Sequence, residues 1–227
     1  MTELYIANKN YSSWSLRPWV LLSELGIGFD EHLVTFAPGS NWNSFRRFSP
    51  NGRVPCLRDG DTVVWDSLAI AEYLAERHPQ VWPSDNIART WARCASAEMH
   101  SSFATLRDQC GMTCGIRVRL REIGPALKAD IARINELWCE GLARFGGPFL
   151  AGNTFTAVDA FYAPVAFRVQ TYGLALDRPA ADYAQRLLSL PSMRRWYEAA
   201  LAETWRDEAH EEEILLYGDV VEDLRIA

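Results

Sequence analysis

The sequence predicts an α/β domain followed by an all-α domain, on two observations. Up to about residue 77, short apolar runs alternate with helical patterns, whereas the rest of the chain repeats its apolar residues at helical spacing and shows no convincing strand. Residues 78–86, with two prolines and a Ser-Asp-Asn cluster, interrupt both patterns. We therefore place a domain boundary near residue 82, which gives domains over residues 1–82 and 83–227.

The first domain is predicted to begin as a strand, a helix and a second strand. Residues 4–7 form a short apolar run, residues 14–25 follow a helical pattern that Gly26 closes, and residues 29–36 read as a strand. Two strands joined through a helix run parallel with a right-handed crossover. These elements therefore supply a parallel pair and one helix.

Two further strands and a helix complete the predicted first domain. Residues 54–57 and 62–65 read as strands joined by a turn at Asp59-Gly60, and residues 67–77 read as a helix. So short a connection makes this second pair antiparallel. The prediction is a mixed four-stranded sheet with helices on its faces.

The second domain is predicted to be a helix bundle. Helical patterns cover residues 87–109, 116–144, 157–172 and 180–202, and Pro191 interrupts the last of them. The string Thr156-Ala-Val-Asp159 has the form of an N-terminal capping box before the third pattern.

Charge and composition exclude several classes of partner. The formal net charge is −6 at pH 7, so the basic surface that nucleic acid requires is not expected. No apolar run approaches the roughly 18 residues of a membrane-spanning helix, and Glu3 stands where a secretory signal carries positive charge. We therefore expect a cytosolic protein without nucleic-acid or membrane partners, which binds small molecules or other proteins.

Cysteine and histidine usage predicts neither a redox centre nor a metal site. The chain has five cysteines, an odd number, and no Cys-x-x-Cys pair. None of its four histidines lies at ligand spacing beside a cysteine. We expect structural cysteines and no bound metal.

Three strings together resemble glutathione S-transferases. Tyr11-Ser-Ser-Trp-Ser-Leu-Arg17, between the first strand and helix, looks like the serine motif of the zeta-like and related bacterial classes. Asn51-Gly-Arg-Val-Pro-Cys-Leu57 resembles the family's loop with a cis-proline, and Asp66-Ser-Leu-Ala-Ile-Ala-Glu-Tyr-Leu74 resembles its acidic-serine turn. The resemblance spans residues 3 to about 205. It implies a thioredoxin-like glutathione-binding domain and a helical domain that contributes the electrophile site.

The resemblance assigns thiol activation to two serines. Ser12 is the first choice for the donor to the glutathione thiolate, and Ser13 is its neighbour. Both stand at the start of a predicted helix, where free amides and the helix dipole favour an anion. The alternative is that either serine only caps the helix.

The resemblance also implies how glutathione is held. The backbone of Val54, before a cis Pro55, would pair with the cysteinyl part, while Ser67 would bind the γ-glutamyl carboxylate and Asp66 its ammonium group. The alternatives are a proline that merely starts a strand and two ordinary helix caps. The predicted glutathione-binding residues are Arg17, Arg53, Val54, Pro55, Asp66 and Ser67.

The electrophile pocket is predicted between the domains. Its candidate residues are Trp14, His100, Phe103 and Arg107, the last three at helical intervals. His100 and Phe103 equally suit structural roles, and Arg107 suits either an anionic substrate or solvent. Trp14 stands where zeta-like enzymes often have cysteine, which argues against their cis–trans isomerase activity.

We expect a glutathione transferase that acts on a small electrophile, and the resemblance further implies a homodimer. One alternative is a non-catalytic binding or partner module, since a fold does not fix a chemistry. Another is glutathione-dependent reduction, but related folds place a cysteine for that reaction where this chain has Ser12 and Ser13.

Overall fold

A computed structural model describes residues 2–226, and its first part is built on the predicted mixed four-stranded sheet. The strands are β1 (Thr2–Ile6), β2 (Asp30–Leu33), β3 (Cys56–Asp59) and β4 (Thr62–Val64). Their order is β2-β1-β3-β4, with β1 parallel to β2 and the other two pairings antiparallel. The two predicted pairings, parallel for β1 with β2 and antiparallel for β3 with β4, are confirmed, and the antiparallel pairing of β1 with β3 joins them into one sheet.

Three helices accompany this sheet, namely α1 (Ser13–Glu24), α2 (Trp42–Phe45) and α3 (Ser67–Ala75). Helices α1 and α3 pack against each other and against the sheet, because Leu4 and Ile6 of β1 share one core with Leu16 and Ile70. The short helix α2 lies in a stretch for which the sequence predicted no element. Since α1 follows the inner strand β1 after a short loop, its first turn lies beyond the carboxyl end of β1, which is where the candidate site lies.

The second part is mainly helical. Its helices are α4 (Asn86–Ser101), α5 (Ala104–Gln109), α6 (Pro125–Phe145), α7 (Ala157–Tyr172), α8 (Arg178–Ser189), α9 (Pro191–Ala202) and α10 (Glu208–Tyr217). Helix α7 is buried on nearly every side and packs against α1, α4 and α8. The predicted capping box at its start is confirmed, since the Thr156 N–H donates to Asp159 Oδ2 at 2.9 Å.

The expectation that the second part contains no strand is wrong. Strand β5 (Ile116–Leu120) pairs antiparallel with β6 (Gly218–Asp223), so residues 116–120 are not helical and helix α6 begins only at Pro125. The string Ile-Arg-Val-Arg-Leu in fact alternates apolar and charged residues, the period of a half-buried strand. Its partner strand lies about a hundred residues further along the chain, where no local pattern indicates it.

Two other helix predictions can be compared with the structure. The pattern over residues 87–109 is two helices, because α4 ends at Ser101 and Phe103 adopts a left-handed backbone conformation with φ 61° before α5. The predicted interruption at Pro191 is confirmed, since α9 begins at that proline, where the missing N–H is tolerated. The predicted boundary near residue 82 falls between α3 and α4, beside a 3₁₀ turn over Pro79–Val81.

The chain after α9 returns to the first domain, and we call residues 203–226 the C-terminal strap. Glu203 accepts the backbone N–H groups of Lys9 at 2.6 Å and Asn10 at 3.2 Å. The Trp205 indole N–H donates to the Phe36 carbonyl at 2.8 Å. The strap therefore brings α10 against the end of the sheet at which α1 begins.

Across residues 2–226, no helix combines the length and the apolar character needed to cross a bilayer.

Candidate active site

A cleft of about 490 Å³ opens between the two domains at the N-terminus of α1. It brings together residues of the first domain, of the second domain and of the C-terminal strap. Its walls are formed by Tyr11, Ser12, Ser13, Trp14, Phe36, Asn41, Phe45, Gly52, Arg53, Val54, Arg107, Gly111, Met112, Arg168, His210 and Glu213.

Ser12 is the N-cap of α1 and borders this cleft. Its hydroxyl oxygen accepts the Ser15 backbone N–H at 3.4 Å, so the capping role considered from sequence is present. The Ser12 and Ser15 hydroxyl oxygens lie 2.7 Å apart, and the Ala7 N–H donates to the Ser15 hydroxyl oxygen at 3.2 Å. Ser15 is completely buried, and sequence reasoning missed it because the contact joins β1 to α1. A buried series of hydrogen bonds thus ends at Ser12.

Ser13 is the first residue of α1 and also borders the cleft. Within the described chain, its hydroxyl has no hydrogen-bond partner among protein groups. Two of the amides that α-helix geometry leaves free in this first turn are already paired, since the Ser13 N–H donates to the Tyr11 carbonyl at 2.9 Å and the Ser15 N–H donates to Ser12. Two hydroxyls and a helix N-terminus therefore face one volume, an arrangement that suits an anion.

The loop before β3 forms the opposite wall. The Val54–Pro55 peptide bond is cis, as the resemblance implied. Arg53 and Val54 line the cleft, while Pro55 is buried beneath them. Asn51 Oδ1 accepts the Arg53 backbone N–H at 3.1 Å, which holds the loop. The exposed edge of this loop can pair with an extended peptide.

Asp66 and Ser67 lie at the start of α3 and do not border the main cleft. Asp66 caps this helix, since one carboxylate oxygen accepts the Leu68 N–H at 3.0 Å, and its other oxygen lies 3.3 Å from His100 Nε2. Ser67 is buried, with its hydroxyl oxygen 3.5 Å from Arg17 Nη1. The cap predicted as an alternative is therefore present at Asp66, and one carboxylate oxygen still faces a polar neighbour.

Three arginines lie close enough to repel one another beside the cleft, and we call Arg17, Arg107 and Arg168 the arginine cluster. The guanidinium carbons of Arg17 and Arg107 lie 4.1 Å and 4.7 Å from the centre of the Trp14 ring. Burial is the main cause that lowers the pKa of all three, to about 10 for Arg168, and repulsion from Arg107 lowers the pKa of Arg17 and Arg168 further. Arg168 was not predicted, although an arginine within the apolar run of α7 is a signal for it.

The four residues predicted for the electrophile pocket fall into two pairs. Trp14 and Arg107 line the cleft. His100 lies behind Trp14 with the two ring centres 5.3 Å apart, and burial is the first cause of its lowered pKa. Phe103 belongs to the hydrophobic core and not to the cleft. The helical spacing that grouped them fails at Phe103, because the break after Ser101 turns this side chain inward.

His210 and Glu213 of α10 also line the cleft, and sequence reasoning missed both because the strap was not predicted. The His210 ring stacks on Tyr11 and lies tilted against Phe36, with ring centres 5.3 Å and 4.9 Å away, and its Nδ1 is hydrogen-bonded to Asp207. Among residues 2–226 no group of three or more metal-ligating side chains is present.

Comparisons with known proteins agree with this architecture. The family model for the "Glutathione S-transferase, N-terminal domain" matches residues 11–77, and that for the "Glutathione S-transferase, C-terminal domain" matches residues 87–199. The glutathione S-transferase-like protein OpS6 of Beauveria bassiana is 24% identical over 188 residues, which cover 80% of this chain and 84% of that protein. A stringent starvation protein A homolog of Pasteurella multocida is 25% identical over 159 residues, which cover 68% of this chain and 69% of that protein.

A solved structure shows the same fold. A glutathione transferase homolog from a Burkholderia strain, crystallised with bound glutathione, superposes with a TM-score of 0.66 at 22% identity, over 88% of this chain and 97% of that one. Together the two family models account for most of the sequence. The chain therefore belongs to the glutathione S-transferase family.

Proposed function

We propose that this protein is a glutathione transferase in which Ser12 stabilises the glutathione thiolate for attack on a small electrophile. The observation that carries the proposal is the hydrogen-bond series from the Ala7 N–H through Ser15 to Ser12, which ends at the cleft. Ser13 supports it as a second hydroxyl beside the same volume.

The energy required is within reach of these groups. A free thiol has a pKa of about 8.5, so only about one part in thirty is ionised at pH 7. Lowering that pKa by two units requires about 2.7 kcal/mol. One hydrogen bond to a charged group contributes about 1.5–3 kcal/mol, so one or two donors suffice.

The Ser12 hydroxyl can cap the helix and donate at the same time. A hydroxyl accepts two hydrogen bonds and donates one. Ser12 accepts from the Ser15 N–H. Ser15 accepts the Ala7 N–H and has a second acceptor position, which the Ser12 hydroxyl at 2.7 Å can fill. In this proposal bound glutathione reverses the bond between the two hydroxyls, so that the Ser15 hydroxyl donates to Ser12. The proton of Ser12 is then left to donate to the thiolate. The capping role and the catalytic role are therefore compatible.

The reaction follows from this arrangement. The thiolate sulfur uses an electron pair to form a bond to an electrophilic carbon, and the leaving group departs with its bonding pair. The thiol proton is released to solvent. Trp14 at the position where zeta-like enzymes often have cysteine favours transfer over isomerisation.

The rest of glutathione would lie along the first domain. The backbone of Val54, before the cis Pro55, supports pairing with the cysteinyl part. Ser67 and the second oxygen of Asp66 support a role in binding the γ-glutamyl group. Arg53, which lines the cleft, completes the proposed set, and the buried Arg17 would act on the bound anion through its charge. We further propose that the protein is cytoplasmic and that it forms a homodimer. Size-exclusion chromatography with light scattering tests the homodimer.

Calorimetry of glutathione binding tests the proposal. Titrations in two buffers of different ionisation enthalpy measure heat and proton release for the wild type, Ser12→Ala and Ser13→Ala. We expect proton release near neutral pH that Ser12→Ala suppresses and that Ser12→Thr, with its hydroxyl retained, preserves. Loss of the cap in Ser12→Ala costs about 0.5–2 kcal/mol of stability, so folding is checked alongside. Absence of glutathione binding would contradict the proposal and favour a binding module for another partner; binding without proton release would contradict thiol activation.

A further inference from the structure

The arginine cluster carries three buried or half-buried positive charges, and Asp66 favours the charge of Arg17 without forming an ion pair with it. Among the described residues, none of Arg17, Arg107 and Arg168 forms an ion pair, although acidic residues outnumber basic ones in the chain by 29 to 23. Arg17 and Arg168 are only 1% and 4% exposed. Burial of an unpaired charge is unfavourable, and like charges in proximity add to that penalty. An anion bound beside the thiolate position would offset this penalty.

Backbone carbonyls orient two of these side chains without neutralising them. Arg168 Nε donates to the Cys110 carbonyl at 2.7 Å, with Nη1 at 3.4 Å from the Pro164 carbonyl. Arg107 Nε donates to the Ser102 carbonyl at 3.0 Å, and its Nη2 donates to the carbonyls of the last turn of α4. Within the described chain, Arg168 Nη2 and Arg107 Nη1 have no protein acceptor. Both side chains line the cleft that Ser12 borders.

The chemistry of the unused donors indicates their ligand. A guanidinium presents N–H groups in a rigid plane that matches the two oxygens of a carboxylate, and such charged hydrogen bonds are among the strong ones. Trp14 and Met112 add flat and apolar surface to the same cleft. The site therefore suits a molecule with an apolar or aromatic body and one carboxylate.

We propose that the electrophilic co-substrate is a carboxylate-bearing molecule whose anionic group is bound by Arg107 and Arg168, an inference that rests on the transferase function proposed above. The carboxylate holds the co-substrate by one end, and its electrophilic carbon faces the thiolate at Ser12. Arg17 contributes through its charge and its contact with Trp14, since it does not line the cleft.

A matched pair of chloroarenes tests this site in the wild type. 4-Chloro-3,5-dinitrobenzoate and its N-methylamide share the same reacting carbon: the thiolate forms the S–C bond, the C–Cl bond breaks, and chloride leaves with the electron pair. For each substrate, kcat/KM is divided by the rate constant of the uncatalysed reaction with glutathione. We expect this ratio to be about tenfold or more higher for the acid than for the amide, which is the range of one charged hydrogen bond. Equal normalised values in the wild type would overturn the proposal.

Variants assign the preference to the cluster. Arg107→Gln and Arg168→Gln are expected to reduce the acid-over-amide preference to within about twofold. Arg119→Gln, which removes an exposed charge on β5, is expected to preserve it. Because Arg168 is buried, the folding of Arg168→Gln is checked by circular dichroism. Arg107 is only half-buried, so Arg107→Gln tests the acid-over-amide preference at a position where substitution disturbs folding less.

Two further measurements distinguish a carboxylate site for the co-substrate from a role of the cluster in glutathione binding. Glutathione itself carries carboxylates, so its Kd is measured for each variant. An unchanged glutathione Kd with a lost acid-over-amide preference supports the proposal. A higher glutathione Kd with an unchanged acid-over-amide preference overturns it. Calorimetry of the acid and amide conjugates with glutathione gives the same comparison without turnover. If glutathione binds but the acid and amide conjugates bind with equal affinity, the carboxylate site is overturned. If glutathione does not bind at all, the transferase function itself is overturned.

Discussion

Ser15→Ala tests separately what the hydrogen bonds from Ala7 through Ser15 to Ser12 contribute to stability and to thiol activation. The substitution removes the oxygen that accepts the buried Ala7 N–H and leaves that donor unpaired, which costs about 1–3 kcal/mol. The higher helix propensity of alanine offsets a few tenths of a kcal/mol. At about 2–4 °C per kcal/mol for a chain of this size, Tm is expected to fall by several degrees.

The same variant is expected to have only a modest effect on the thiol. A donor to Ser12 strengthens the bond from Ser12 to the thiolate by about 10–30%. For a bond of about 1.5–3 kcal/mol this is about 0.2–0.9 kcal/mol, or less than about one unit in the thiol pKa. Ser12→Ala removes the whole bond and is expected to raise that pKa by about one to two units. Ser15→Ala therefore mainly lowers stability, and Ser12→Ala mainly impairs activation.

The assay combines urea unfolding with ultraviolet titration of the bound thiol. Ser23→Ala, a partly exposed serine on the same helix, is the control and is expected to change the free energy of unfolding by less than about 0.5 kcal/mol. If Ser15→Ala abolished thiolate formation at unchanged stability, the reasoning would be refuted, because Ser15 and not Ser12 would then be the principal donor.

Three further predictions follow from contacts elsewhere in the molecule. Asp159→Ala leaves two buried backbone N–H groups unpaired and is expected to lower the free energy of unfolding by about 2–6 kcal/mol in urea titrations, with the glutathione Kd unchanged in the folded fraction. Glu203→Ala removes the acceptor of the Lys9 and Asn10 amides, and hydrogen exchange at these amides is expected to accelerate about tenfold or more; an unchanged rate would show that the strap is held by other contacts. Burial lowers the pKa of His100 in the folded protein, so the unfolded chain takes up a proton at this histidine first as the pH falls below about 6.5, and the folded state loses stability. Between pH 7 and 5 the free energy of unfolding should therefore fall more for the wild type than for His100→Gln. Identical pH profiles would contradict this prediction.

The fold of the first domain could be predicted because its signals are local. Strand and helix periods lie within windows of a dozen residues, and the turn at Asp59-Gly60 sets the direction of the strands it joins. The capping box at Thr156 and the interruption at Pro191 depend on neighbouring residues in the same way. Such features require no knowledge of distant contacts.

The missed features depend on contacts between distant residues. Strand β5 is stabilised by β6, about a hundred residues later, and α10 reaches the cleft only because the strap folds back on the first domain. Arg168 and His210 therefore enter the site from elements with no sequence relation to the serine string. Phe103 was misplaced because one left-handed residue redirects a helix that spacing alone treats as continuous.

The most direct test of the central claim is the pKa of the glutathione thiol in the bound complex. Ultraviolet titration of the wild-type complex should give a value about two units below the 8.5 of a free thiol. Ser12→Ala should raise that value by about one to two units and Ser12→Thr should leave it low. A bound thiol that titrates like free glutathione, or a lowered pKa that persists in Ser12→Ala, would contradict activation by Ser12.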